Sequence, residues 1–217
     1  MKYWRKINLV LLVAALLAAG PLRALAEALP EPDFDPDEEI ISGEENTWEQ
    51  QVLDLLGEYD ADPATITAGY YNFVTGEEHY FQPDEYRITG SMYKVPLNML
   101  FLDWIDEGRL EADGMIGAYR YTELLNGTII HSNNDYAEIL WDYAGATIQT
   151  NPASTLYHRY RILIAPLMGE DPDHVDDKYY ENNFFTARQM LTCMKKLYEG
   201  GEKYDLLVEA MQKAEPD

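Results

Sequence analysis

Thr89-Gly90-Ser91-Met92-Tyr93-Lys94-Val95-Pro96-Leu97-Asn98-Met99-Leu100-Phe101-Leu102-Asp103-Trp104-Ile105 reads as a turn running into a helix. Leu97, Leu100, Phe101, Trp104 and Ile105 recur at helical spacing, an apolar stripe that predicts an amphipathic helix. Pro96 suits the first turn, where a missing N–H removes no helical bond. Glu107-Gly108 should end the element. Ser91 and Lys94 sit ahead of or within that first turn, three residues apart, and share one face if the turn is helical.

A serine hydroxyl is a weak nucleophile and needs a base. A lysine held at a helix N-terminus and partly buried is disfavoured as a cation, both by desolvation and by the helix dipole. It can then accept the serine proton near neutral pH. The same helix end offers the Ser91 N–H to a developing oxyanion. Alternatively, Ser91 is a capping residue and Lys94 a solvated surface charge.

The remaining chain narrows the function classes. A length of 217 residues suits one domain with appendages and a sizeable core. The net charge of −23 repels phosphate backbones and makes nucleic acid a poor partner. Lys2, Arg5 and Lys6 precede the apolar run Ile7 to Ala19, and Ala24-Leu25-Ala26 follows. That pattern predicts a signal peptide over 1–26, cut after Ala26, with the mature chain extracytoplasmic and not stably inserted in a membrane; the alternative is an uncleaved anchor. Residues 27–45, acidic and proline-rich, read as a linker. Cys193 is the single cysteine, so no intrachain disulfide is available, and its apolar neighbours predict a buried, inert thiol. His79, His131, His158 and His174 show no ligand spacing, so no metal or other cofactor is expected.

In chain order, Asn46 or Thr47 should cap a helix whose buried face is Trp48, Val52, Leu55, Leu56 and Tyr59. Thr65 to Phe73 and Glu78 to Phe81 form a β-hairpin about Val74-Thr75-Gly76-Glu77. Tyr121 to Leu125 reads as a short helix stopped by Asn126-Gly127. His131-Ser132-Asn133-Asn134-Asp135 is a loop-to-helix entrance, with Tyr136, Ile139, Leu140, Tyr143 and Ala144 at helical spacing beyond it. Gly145 and Pro152 bracket a connection, Thr155 to Leu167 is another helix, and Glu170 to Tyr180 an acidic loop. Thr186 caps a helix carrying Ala187, Met190, Leu191, Met194 and Leu197, stopped by Gly200-Gly201, and Tyr204 to Ala214 forms the last helix.

The chain holds four serines, Ser42, Ser91, Ser132 and Ser154. Two of them fall in S-x-x-K (Ser91 to Lys94) and S-x-N (Ser132 to Asn134), in that order, each at a helix entrance. With the hairpin before Ser91 and the late helix opened by Asn183-Phe184-Phe185-Thr186-Ala187-Arg188-Gln189-Met190, this pattern resembles the penicillin-recognising serine hydrolases, and among them the class A β-lactamase-like group. The resemblance spans roughly residues 45 to 214. It implies an α+β fold of the β-lactamase/transpeptidase type, a mostly helical domain packed on an N-terminal β-hairpin, occupying 46–217. It implies that Ser91 is the acylated nucleophile, with Lys94 as general base or proton relay. Ser132 would pass the proton to the leaving nitrogen, and Asn134 would bind the substrate's amide side chain. The implied partner is a small β-lactam or a peptidoglycan-type substrate, and the implied state is a monomer. Without the resemblance, Ser132 and Asn134 read as helix caps.

Two departures shape the expectation. No Lys-Ser/Thr-Gly triplet follows Ser132. The chain therefore reads as a partial domain without the C-terminal sheet strands, its sheet reduced to the hairpin, and catalytically dead or nearly so. A Glu-x-x-Leu-Asn pattern, which such enzymes use for deacylation, is also missing, leaving Glu170 and Glu181 as the candidates in the corresponding region, each also readable as a surface acid. Without that base an acyl-enzyme would persist, as in a penicillin-binding D-alanyl-D-alanine peptidase or esterase. A non-catalytic cell-envelope module on the same fold is the third expectation.

Overall fold

The computed structural model describes residues 47–148, 155–174 and 183–214. The expected signal peptide (1–26) and linker (27–45), Pro152 and Glu181 lie outside them. The chain divides into two compact units, one ending at Arg87 and one beginning at Ile88.

In the first unit, Thr47 caps α1 (Trp48–Glu58) by accepting from the Gln50 N–H at 3.3 Å. Leu56 of α1 packs with Ile66, Ala68 and Phe81, flanked by Trp48, Val52, Leu53 and Ala61. Leu55 and Tyr59, expected in that face, are each 43% exposed. Leu53 takes the inward place instead, because the helix turns a narrower stripe toward a small two-stranded sheet. That sheet is the expected hairpin, with β1 (Ala68–Tyr71) antiparallel to β2 (Glu78–Phe81) and Ala68 opposite Phe81. Asn72 builds its turn: its side chain accepts from the Val74 and Thr75 N–H groups, and its carbonyl from Gly76. The His79 ring stacks with those of Trp48 and Tyr70 at centroid distances of 5.8 and 5.9 Å.

The second unit is built around α2 (Lys94–Asp106), which touches α3 (Tyr121–Ile129), α4 (Asn134–Thr147), α5 (Leu156–Ile164) and α7 (Asp205–Lys213). The stripe Leu97, Leu100, Phe101 and Trp104 is buried, but so are Asn98, Met99 and Leu102. A helix enclosed by four others has no solvent face along most of its length. The one-sided pattern expected for α2 is thus replaced by burial nearly all round. Each large apolar side chain so buried contributes about 1.5–3 kcal/mol relative to exposure. Asn98 is accommodated because its amide donates to Lys94 O (2.8 Å) and Thr128 Oγ1 (3.0 Å), while Tyr121 donates its hydroxyl to Asn98 O (3.1 Å).

Two glycines expected to end elements lie inside helices. α3 runs through Asn126-Gly127 to Ile129, and a Cβ on Gly127 would lie 2.1 Å from the Tyr136 ring. α4 runs through Gly145, where a Cβ would lie 2.2 Å from Leu156 O at the start of α5. Both positions are close approaches between helices, which outweigh glycine's helix penalty of about 1 kcal/mol. Thr155 caps α5, whose last turn tightens through Ala165–Met168. Thr186 and Gln189 form a reciprocal capping box on α6 (Ala187–Glu199). The five expected apolar residues of α6 are all buried, and the Cys193 thiol with them, 3.5 Å from Met99 Sδ.

Beside the expected hairpin, the described residues form two further, separate two-stranded sheets. β3 (Arg87–Ile88), through which the chain passes into the second unit, lies beside β6 (Phe184–Phe185). β4 (Met115–Ile116) and β5 (Tyr119–Arg120) pair antiparallel across Gly117, which has φ +62°. Two-residue strands carry too little alternation to be read from sequence.

Candidate active site

Between β3 and α2 the backbone makes one tight turn, Gly90–Tyr93, and Ser91 projects from it into solvent. Gly90 has φ +55°, a left-handed conformation with no steric cost only for glycine. Lys94 is the first residue of α2 and is 1% exposed. The expected three-residue relationship therefore holds: the Lys94 N–H bonds back to Ser91 O, and Lys94 Nζ lies 3.3 Å from Ser91 Oγ.

The loop between α3 and α4 meets this pair. Ser132 Oγ lies 2.6 Å from Ser91 Oγ and 3.1 Å from Lys94 Nζ. Lys94 Nζ also donates to Ser132 O at 2.5 Å and to Asn134 Oδ1 at 2.8 Å. All four sequence-predicted residues thus come together around one amine. Ser132 reaches this place at φ +49°, a left-handed backbone that a serine adopts only at a cost of about 1–2 kcal/mol. The cap of α4 is made by neither motif residue. Asn133 accepts the Tyr136 N–H at 3.1 Å, so Ser132 and Asn134 are left to face Lys94.

The electrostatics follow from burial. Desolvation pulls the Lys94 amine below its ordinary value of 10.5. Among the described residues no carboxylate lies within ion-pairing distance of it, so no opposite charge restores the cation. Lowering the amine's proton affinity brings it closer to a state whose lone pair could take a proton from Ser91, directly or through Ser132. Glu170 points elsewhere. Its Oε1 accepts from Gln189 Nε2 at 2.5 Å beside the capping box of α6. Glu181 lies outside the described residues.

Sequence reasoning passed over Asn183. Its carbonyl accepts the Thr89 N–H (3.0 Å), its Oδ1 accepts the Thr89 hydroxyl (2.8 Å), and its amide donates to Gly90 O. An asparagine before an apolar pair carries no local signal for this role.

Residues 47–216 match the model of the β-lactamase enzyme family. The chain belongs to that family. Its fold is the α+β β-lactamase-like fold, as solved structures also show. A β-lactamase from Chitinophaga pinensis is 15% identical with a TM-score of 0.55, over 76% of this chain and 69% of its own. One from Burkholderia vietnamiensis is 16% identical with a TM-score of 0.58, over 78% and 70%. A variant of the last common ancestor of Gram-negative class A β-lactamases is equally similar, at 16% and 0.58 over 78% and 70%. No curated protein matches the chain.

Among the described residues of this family member, no helix is long and apolar enough to cross a membrane.

Proposed function

We propose that the protein is an exported serine hydrolase of the class A β-lactamase-like group that is acylated at Ser91 by a β-lactam or a related amide. One observation carries this reading. An exposed serine hydroxyl, a second hydroxyl at 2.6 Å and a buried amine with no counter-charge among the described residues lie within hydrogen-bond reach of one another.

In the proposed step Ser91 Oγ attacks the amide carbonyl carbon while its proton passes to neutral Lys94. The carbon–nitrogen bond breaks, the ring or peptide nitrogen takes a proton through Ser132, and an ester to Ser91 remains. The Ser91 N–H lies in the first turn of a helical segment, where N–H groups lack intrahelical acceptors, and would be offered to the developing oxyanion. Asn134 contributes an exposed amide for the substrate's side chain while its Oδ1 holds Lys94.

A second reading, a penicillin-binding D-alanyl-D-alanine peptidase or esterase, rests on a different observation. No carboxylate touches Ser91, Lys94 or Ser132 among the described residues, so none of these supplies a base for a deacylating water. Intact-protein mass spectrometry with benzylpenicillin separates the two. Rapid return to the free mass marks a lactamase, and a lasting adduct on Ser91 the penicillin-binding type. No adduct with any β-lactam, in a protein shown to be folded, refutes both and leaves a non-catalytic module.

A further inference from the structure

The two residues that precede Ser91 are fastened to a distant part of the chain by a single side chain and its own carbonyl. Thr89 gives its N–H to Asn183 O at 3.0 Å and its hydroxyl to Asn183 Oδ1 at 2.8 Å and Asn183 O at 3.2 Å. In return the Asn183 amide donates to Gly90 O. We propose that Asn183 is a positioning residue for the nucleophile, holding the Thr89–Gly90 backbone so that the Ser91 hydroxyl meets Ser132 and Lys94. The assignment rests on the reading of Ser91 as the acylated group.

Three features support the role. Gly90 occupies the left-handed region at φ +55°, where a glycine is freest to swing, and its peptide is the one that Asn183 holds. A Cβ added at Gly90 would meet nothing within 4 Å, so packing does not fix this peptide and hydrogen bonding must. Asn183 is itself anchored through the next residue. Arg161, 2% exposed, donates from Nη1 to Phe184 O at 2.8 Å, with its guanidinium 4.0 Å from the centre of the Phe185 ring.

The clasp uses an uncharged amide, which both donates and accepts. Aspartate keeps the shape and the acceptor. Ionised, it cannot donate and sets a carboxylate against the Gly90 carbonyl. Protonated, it regains the donor. The Asn183→Asp variant should therefore fail at neutral pH and recover on acidification, a signature that a packing role would not produce.

The test is the second-order rate of Ser91 acylation by a fluorescent penicillin, followed by intact mass, for wild type, Asn183→Ala and Asn183→Asp. Hydrogen–deuterium exchange of the peptide spanning 88–93 is measured in parallel. Asn183→Ala should acylate about 10- to 100-fold more slowly, the scale of a misplaced nucleophile. Its pH midpoint should not move, because the bonds to Lys94 are untouched. Exchange over 88–93 should rise. For Asn183→Asp the rate relative to wild type should climb as pH falls from about 8 to about 5, toward the carboxyl's own range. Wild-type exchange and rate in Asn183→Ala overturn the proposal, as does a pH-independent ratio for Asn183→Asp. A wild-type protein that no penicillin labels fails the nucleophile reading itself. In that event increased exchange in Asn183→Ala would keep the clasp as a structural feature and remove its role in positioning a nucleophile.

Discussion

The hydroxyl of Ser132 stands 2.6 Å from that of Ser91, although they are 41 positions apart in sequence, and Lys94 Nζ lies within 3.3 Å of both. The contact exists because Ser132 accepts a left-handed backbone at φ +49° and leaves the capping of α4 to Asn133. The strained residue is the one proposed to relay a proton to the leaving nitrogen.

Ser132→Gly should relieve that backbone and stabilise the fold by up to about 1 kcal/mol, while acylation of Ser91 falls at least about 100-fold. Thermal unfolding and labelling by a fluorescent penicillin measure the two effects on the same sample. A variant that is both stabilised and fully reactive would remove Ser132 from the chemistry.

Asn133→Ala should behave in the opposite way. Losing the cap of α4 costs about 1 kcal/mol of stability and leaves the Lys94 contacts in place, so acylation changes by less than about threefold. Asn134→Ala should spare stability, since that side chain is exposed, and lower the acylation rate. The pair separates capping from chemistry within one motif.

Lys94→Met should reduce acylation by about 100- to 10,000-fold without unfolding the protein. The pH dependence has a definite sign. The folded state disfavours the protonated amine, so between the depressed folded pKa and 10.5 the unfolded chain binds more protons and stability rises with pH. Below the folded pKa the cost of the buried cation is fully present, and above 10.5 it is gone. The stability of wild type relative to Lys94→Met, from urea denaturation, should therefore improve as pH rises through that window. Acylation by wild type should rise over the folded pKa as well. A flat stability difference would mean that Lys94 is not desolvated.

Gly145→Ala should destabilise the second unit by about 1–3 kcal/mol or more, because the new methyl meets backbone, Leu156 O at 2.2 Å, which cannot rotate away. Ala is otherwise the better helix former by about 1 kcal/mol, so a higher melting temperature would show that α4 and α5 are not packed this closely.

Cys193 should resist thiol reagents in the native state. Burial pushes its thiol up to about 12, and the residue is fully enclosed. Ellman's reagent at neutral pH should find no thiol until denaturant is added.

The legible parts of the sequence were those with local causes. Thr47 and Thr186 name their helix starts because a side-chain oxygen must meet an N–H three residues on. The hairpin 68–81 follows from β-branched and aromatic residues about the turn Val74-Thr75-Gly76-Glu77. The spacing of Ser91 and Lys94 at a helix mouth could be read for the same reason. Gly127 and Gly145 misled, since a glycine that ends a helix and one that admits a neighbour look alike until the neighbour is in place. Leu55 and Tyr59 misled because the width of a buried stripe depends on what it packs against.

The amino-acid sequence alone determined which groups are available: one S-x-x-K turn, one S-x-N loop and a single thiol among apolar neighbours. Only the tertiary structure decided that α3 and α4 carry Ser132 and Asn134 onto Lys94, that no carboxylate among the described residues accompanies them, and that Asn183 holds the turn before Ser91. Proton affinity and hydroxyl reactivity depend on what lies within a few ångströms and on the exclusion of water. Those neighbours come from residues 38 to 94 positions away, and packing, which no local pattern encodes, brings them together.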